Sequence, residues 1–588
     1  MSLFKPYNFS FLPVTAIAVL TLAMLAAQPA YAAQDLTEDE AAHGEIFSED
    51  DYPSATLCAP CHARIYEEWS SSNHAYASIS PMFHKFEQAI NALTQGTIGD
   101  FCVRCHQGGG VNLNEPREAP LWERSRISNE GISCIICHRV EDSYTRANAE
   151  RRIVPGNINQ PIFGPYGGDG VASVIEKKAF YKVATSADER GNQIHTKGIK
   201  FPQLSKSEFC MSCHQVAINL GIKLEVVWEQ YRASPAAAAG ITCQDCHMGK
   251  TPGRADGYNT GPAAVVNGKE INPDRKSSNH AFYGPGYPIA HPGIFPHNPD
   301  AENWTVEEWL KFDYRAGWGT EEFEEAIDEE EIEVEFPEIW EDPFDREEAR
   351  EVVDVNLERL EDKRRLRQEV MENGMRLDGP FFDGTPTAGQ ALSFYIDVVN
   401  TDEGHNLPSG SLGAQPELWL NVALIDPDGK NVWESGYVDA NGDMADIHSL
   451  EFAAGNIEFD SQLFNLQTKF LTTNVKGTER EMYLPVNFDI DQRPMLRPAP
   501  QPTTVINHTP FVRMEGRSLP PLSSRKAKYT IPASAMSKTG TYTMAIRMRS
   551  RAEPIYFMRF VGATKEMEQS MNDWMMDIHP YSVEFQVN

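Results

Sequence analysis

Apolar positions recur at two different periods along this chain, and a long stretch shows neither. Ile65, Trp69 and Ser72 stand at helical spacing, so a helix should leave the segment around residue 62 and present His74 beyond its end. Val353, Leu357 and Leu360 repeat the pattern among charged residues, and residues 345–373 read as one helix with Gly374 in the capping position. After Gly374 the pattern turns to strands. Residues 392–399, 418–425, 431–438, 542–548 and 582–587 are short runs rich in β-branched or aromatic residues, and Asp426-Pro427-Asp428-Gly429 supplies a hairpin turn. Residues 376–588, without cysteine, therefore read as an all-β sandwich.

Residues 33–300 are punctuated instead by turn-rich stretches such as Gly164-Pro165-Tyr166-Gly167-Gly168, Gly284-Pro285-Gly286 and His291-Pro292-Gly293. Short helices linked by loops are expected there, with little side-chain core. Residues 301–375 read as an acidic helical linker. Its segment 321–350 holds sixteen acids against Arg346 and Arg350, a pattern typical of a solvated face, with a docking surface for a basic partner as the other reading.

The first residues are of another kind. Lys5, the apolar run 11–27 and Ala30-Tyr31-Ala32 make a signal peptide over residues 1–32; Pro13 and the short run argue against a membrane anchor. No cysteine precedes Cys58, which disfavours lipid attachment, and no later segment is apolar enough to span a bilayer. An exported, periplasmic protein is expected, with an extracellular place as the alternative. The net charge of −32 disfavours nucleic acid and anionic surfaces and favours basic protein partners.

The chemistry lies in one motif. C-x-x-C-H occurs five times, at Cys58/Cys61/His62, Cys102/Cys105/His106, Cys134/Cys137/His138, Cys210/Cys213/His214 and Cys243/Cys246/His247, and consumes all ten cysteines. Two thiols so spaced can add to the two vinyl groups of a haem, and the histidine that follows then ligates its iron. A disulfide framework needs no histidine after every second cysteine, and neither do zinc sites built from C-x-x-C units. Five covalently attached haem c groups are expected, with His62, His106, His138, His214 and His247 as proximal ligands.

An internal repeat orders the motifs. Phe101-Cys102 through Gln107 returns as Phe209-Cys210 through Gln215, and Gly131-Ile132-Ser133-Cys134 returns as Gly240-Ile241-Thr242-Cys243. Ser71-Ser72-Asn73-His74-Ala75-Tyr76 also returns as Ser277-Ser278-Asn279-His280-Ala281-Phe282, which marks His74 and His280 as distal iron ligands. His291, His297, His195 and His84 are further candidates. His405, in a glycine-flanked loop after the first expected strand, reads either as a surface histidine or as an imidazole donated to a haem by the β region.

The pattern Cys58-x-x-Cys61-His62-x3-Tyr66-x2-Trp69-x2-Ser72-x-His74-Ala75 resembles the opening signature of the cytochrome c-554 family of multihaem cytochromes. Gly131-Ile132-Ser133-Cys134 and Gly240-Ile241-Thr242-Cys243 resemble its later attachment sites. The resemblance covers residues 55–300 and implies distal ligation by His74 and haem packing like that of hydroxylamine oxidoreductase. Residues 404–408 are similar to β domains appended to other multihaem cytochromes. The family pattern has four haems and no β domain, and no attachment site here ends in lysine, so neither partner nor activity carries over.

The expected architecture is a multidomain chain, a mainly α and irregular multihaem cytochrome domain followed by an all-β sandwich. The expected function is electron relay between respiratory redox partners, with no catalytic residue assigned. Two alternatives stand beside it: an oxidoreductase acting on a small nitrogen or sulfur compound at a five-coordinate haem, and a subunit of an extracellular filament. Oligomeric state is left open.

Overall fold

The computed structural model describes residues 51–588 except 94–95, 97, 114, 116–122, 142–146, 150, 218–222, 288–290, 296–297, 411–415, 476–477 and 483–511. The expected signal peptide and His297 lie outside the described residues.

Helix α1 (Ala59–Ser70) has Pro60 in its first turn, where the missing N–H costs nothing, and departs from helical geometry at His62 (φ −118°, ψ 38°). Its buried Trp69 donates from Nε1 to the Ile132 carbonyl at 2.8 Å, which fastens α1 to the third motif. Helix α2 (Pro81–Leu93) follows. Among the described residues from 94 to 305, α-helices run only four to eight residues and strands two or three. Side chains form small apolar clusters there, one around Ile127, Ile135 and Ile136 and another around Val174, Val183 and Ile271.

The acidic segment turns its aromatics inward. Trp309, Phe312, Trp318, Phe323 and Trp340 share one core with Tyr76 and Tyr287, and with Phe557 and Trp574 near the C-terminus. Its acids are not all solvated: Glu324 is buried, with its carboxylate against the Arg346 guanidinium. Helix α3 (Pro343–Gly374) begins where the Asp342 carboxylate accepts the Phe344 N–H at 2.9 Å. Its buried stripe includes Val353, Leu360, Lys363 and Arg367. Gly374 is the last helical residue and not a cap beyond the end, because Met375 is already extended (φ −148°, ψ 166°) and opens a strand.

The strands are β1 (Met375–Phe382), β2 (Leu392–Asn400), β3 (Glu417–Ile425), β4 (Asn431–Ser435), β5 (Phe464–Asn465), β6 (Lys469–Val475), β7 (Thr478–Met482), β8 (Val512–Glu515), β9 (Ser524–Ile531), β10 (Gly540–Arg551) and β11 (Met576–Val587). They form sheets of order β1-β2-β9, β4-β3-β10-β11 with β5 beside β3, and β7-β6-β8. Burial alternates strictly along β2, so Leu392, Phe394, Ile396 and Val398 face one way. These residues join Leu420, Tyr529, Met544 and Ile578, drawn from both larger sheets, in a single apolar core. The 426–429 turn forms as expected, with Gly429 at φ +79° and the Asp426 carboxylate accepting the Asp428 and Lys430 N–H groups. Strand β4 stops at Ser435, short of the expected residue 438. Gly436 there has φ +76°, and a side chain on it would strike the Leu420 carbonyl.

Candidate functional site

Each motif makes about one helical turn. The histidine N–H returns to the carbonyl of the first cysteine from His62 to Cys58 at 2.9 Å, from His106 to Cys102 at 3.3 Å and from His214 to Cys210 at 3.0 Å, and the third and fifth motifs are themselves short helices, Cys134–His138 and Cys243–His247. This curl brings the two thiols and the imidazole of one motif together. The fifth motif is capped by Thr242 and Asp245 in a reciprocal box.

Four of the five proximal imidazoles are oriented by main-chain carbonyls. Nδ1 of His62 lies 3.0 Å from the Ala263 oxygen, that of His106 2.8 Å from Ala77, that of His138 2.7 Å from Phe163, and that of His247 2.6 Å from Tyr283. A carbonyl can only accept, so Nδ1 carries the proton and Nε2 keeps its lone pair for a metal.

One connected cavity of about 1240 Å³ is lined by all ten motif cysteines, all five motif histidines, and His74, His195, His280 and His405. Across it the ring centroids of His74 and His214 stand 6.3 Å apart, and those of His405 and His247 stand 6.0 Å apart at an interplanar angle of 18°. Metal–imidazole bonds of about 2 Å on both sides of one ion separate opposed rings by about 6 Å, so these pairs fit six-coordinate iron. Nδ1 of His405 is held 3.0 Å from the Asn406 carbonyl and 3.3 Å from Asp402, and that of His280 3.1 Å from the Ser278 carbonyl. Both again leave Nε2 free. Burial pushes His74 and His280 down to about 3 and His195 to about 4, which keeps them neutral, as a ligand must be. Among charged neighbours His195 feels His62 most strongly, and His280 feels His138.

Two candidates point elsewhere. His84 directs Nε2 to the Ser78 carbonyl at 3.0 Å, and His291 directs Nε2 to the Phe312 carbonyl at 2.7 Å while its Nδ1 accepts the Gly293 N–H. Neither lines the cavity. Nor does a histidine ring face His106 among the described residues; Phe83 stacks on it at 3.9 Å.

The ten thiols are all free of disulfides. Thiols of different motifs meet, Cys58 with Cys134, Cys105 with Cys213 and Cys210 with Cys243. Burial pushes Cys102 and Cys246 up to about 12. No tight group of three or more His, Cys, Asp or Glu suited to a bare metal ion occurs among the described residues. Arg151, Glu225 and Glu553, which the motifs do not announce, are among the other residues that border the cavity.

Residues 57–139 match the family model described as Cytochrome c554 and c-prime. No curated protein and no solved structure matches the chain. The matched stretch holds three of the five motifs, and over it the chain is similar to this family of c-type cytochromes.

Proposed function

We propose that the chain is an exported pentahaem cytochrome c that relays electrons between respiratory partners. The observation that carries this reading is the single cavity bordered by all fifteen motif residues and by four further histidines. Bound haem supplies a one-electron carrier at each motif. The protein holds four of the five proximal imidazoles by a carbonyl, opposes His214 with His74 and His247 with His405, and brings His195 and His280 to the same cavity. In this reading residues 33–300 are the haem domain, 301–375 the acidic linker and 376–588 a β-sandwich that donates His405. Residues 1–32 direct export, and the net charge of −32 selects a basic partner.

A pyridine haemochrome assay with an electron paramagnetic resonance spectrum of the oxidised protein tests the proposal. Five haems per chain and low-spin signals indifferent to nitrite, hydroxylamine or cyanide are expected; fewer than five haems sinks it. The second reading, turnover of a small nitrogen or sulfur compound, is favoured by the lack of a facing histidine at His106 among the described residues. A high-spin signal that shifts with those ligands selects it.

A further inference from the structure

Arg151 stands where three motifs converge. Its Nη2 donates to Cys213 Sγ at 3.1 Å, and the guanidinium is under the electrostatic influence of Cys105, Cys137, Cys210 and Cys213, from the second, third and fourth motifs. The backbone that delivers it is constrained. Asn148 and Ala149 both take positive φ, +64° and +55°, a conformation that costs free energy in residues with a Cβ. Their N–H groups donate to Gln215 at 3.2 Å and Ser212 at 2.6 Å, on the two sides of Cys213-His214. A strained turn is thus clamped onto the fourth motif, and Arg151 is what it places there. No carboxylate pairs with Arg151 among the described residues.

Haem attachment changes the partners of this cation. Each thiol adds across a vinyl group, its hydrogen going to one carbon and its sulfur bonding to the other, so a potential thiolate becomes a neutral thioether. The guanidinium then keeps its charge with no anion supplied by the cysteines. The fifth motif has carboxylates beside it, since Cys246 feels Asp402, Asp245 and Glu403, with Lys276 near Asp245.

We infer that Arg151 is a positioning charge that raises the reduction potential of the haem at Cys210 and Cys213 above that of the haem at Cys243 and Cys246. Reduction adds one negative charge, which a fixed cation nearby stabilises and carboxylates oppose. Electrons arriving at the fifth motif therefore collect at the junction of motifs two, three and four. The inference rests on the reading that haem is attached at these motifs.

The test is a spectropotentiometric titration of the haem-loaded full chain, wild type against R151Q and R151K, with haem counted in each. In R151Q the highest-potential wave should fall by about 59 mV, the equivalent of an about tenfold lower reduced-to-oxidised ratio for one electron, while the lowest wave stays in place. R151K retains the charge and should retain the wave. Should R151Q not load its haems, R151K decides alone, its wave in place supporting the inference and its wave displaced overturning it. Five haems in R151Q with no wave moved, or all waves moved equally, also overturns it. A wild type with fewer than five haems refutes the attachment reading instead.

Discussion

Residues 51–300 and residues 376–588 solve the problem of an interior in opposite ways. In the β region alternating side chains from two sheets meet in one continuous apolar core, in which Ile396, Leu420, Met544 and Ile578 are at most 1 % exposed. In the motif region Trp69, Tyr76 and Tyr287 join the core of the acidic segment, while the clusters of its own are small and lie beside a cavity of about 1240 Å³. Walls so far apart make few contacts with one another, so the motif region has little side-chain core of its own. The β region carries its own cohesion and brings the His405 ring to the cavity, facing His247.

The strongest way to break this comparison is to withhold haem. Full-length chain made without haem attachment should lose residues 51–300 to limited proteolysis while 376–588 resists, whereas the loaded chain resists throughout. Equal digestion of both regions in the unloaded chain would remove the distinction. A second break acts inside the β region. Arg551 and Glu417, 2.6 Å apart and both buried, form an ion pair, and Arg551 also donates to Asn572 at 2.7 Å. Glu417→Ala leaves a buried cation unpaired and should cost about 3–5 kcal/mol in denaturant unfolding of the loaded protein. Arg376→Ala, at the exposed pair with Asp378, should cost under about 1 kcal/mol. Similar costs for the two would mean the β core is not as closed as its burial implies.

The loop that joins the regions offers a finer test. His405→Ala should leave the haem count unchanged and convert one low-spin signal to high spin. His291→Ala should alter no haem signal and cost about 1 kcal/mol, because its Nε2 holds the Phe312 carbonyl. A spectral change in the second variant and none in the first would reverse the roles assigned to these histidines.

These two residues also mark how far the sequence could be read. His291 and His405 both sit beside glycine and proline in irregular segments, and only packing separates them: Trp309, Phe312 and Tyr314 enclose the first, while the second faces His247. Cysteine spacing announced the attachment chemistry because covalent geometry requires it, and the repeated Ser-Ser-Asn-His-Ala string singled out His74 and His280, which the fold brings to the cavity. That His74 should oppose His214, 140 residues away, is a tertiary fact with no local trace. Strand β1 escaped notice because Gly379-Pro380 interrupts it. Strand β9 escaped because Lys526 and Lys528 hide the alternation of Ala527, Tyr529 and Ile531. Arg151 is a single cation in a polar stretch, and its meaning comes only from three motifs meeting around it.

A further effect concerns the carboxyl groups at the cavity wall. Glu553 and Glu225 each hold one buried side-chain oxygen without a hydrogen-bond partner, and burial pushes both groups up from 4.5 to about 8. Below pH 4.5 folded and unfolded chains are both protonated, and neither group makes stability depend on pH. Between pH 4.5 and 8 the folded chain keeps a proton that the unfolded chain has released, so stability falls as pH rises, at up to about 1.4 kcal/mol per pH unit for each group. Glu553→Gln cannot ionise and should match the wild type near pH 4.5, be more stable at pH 8, and lower the slope by one group's share in denaturant titrations of the loaded protein. Glu225→Gln should do the same independently, since the two side chains belong to different elements. An unchanged slope in either variant would mean that its carboxyl finds a partner in the loaded cavity, and would place a polar edge of the bound group beside that residue.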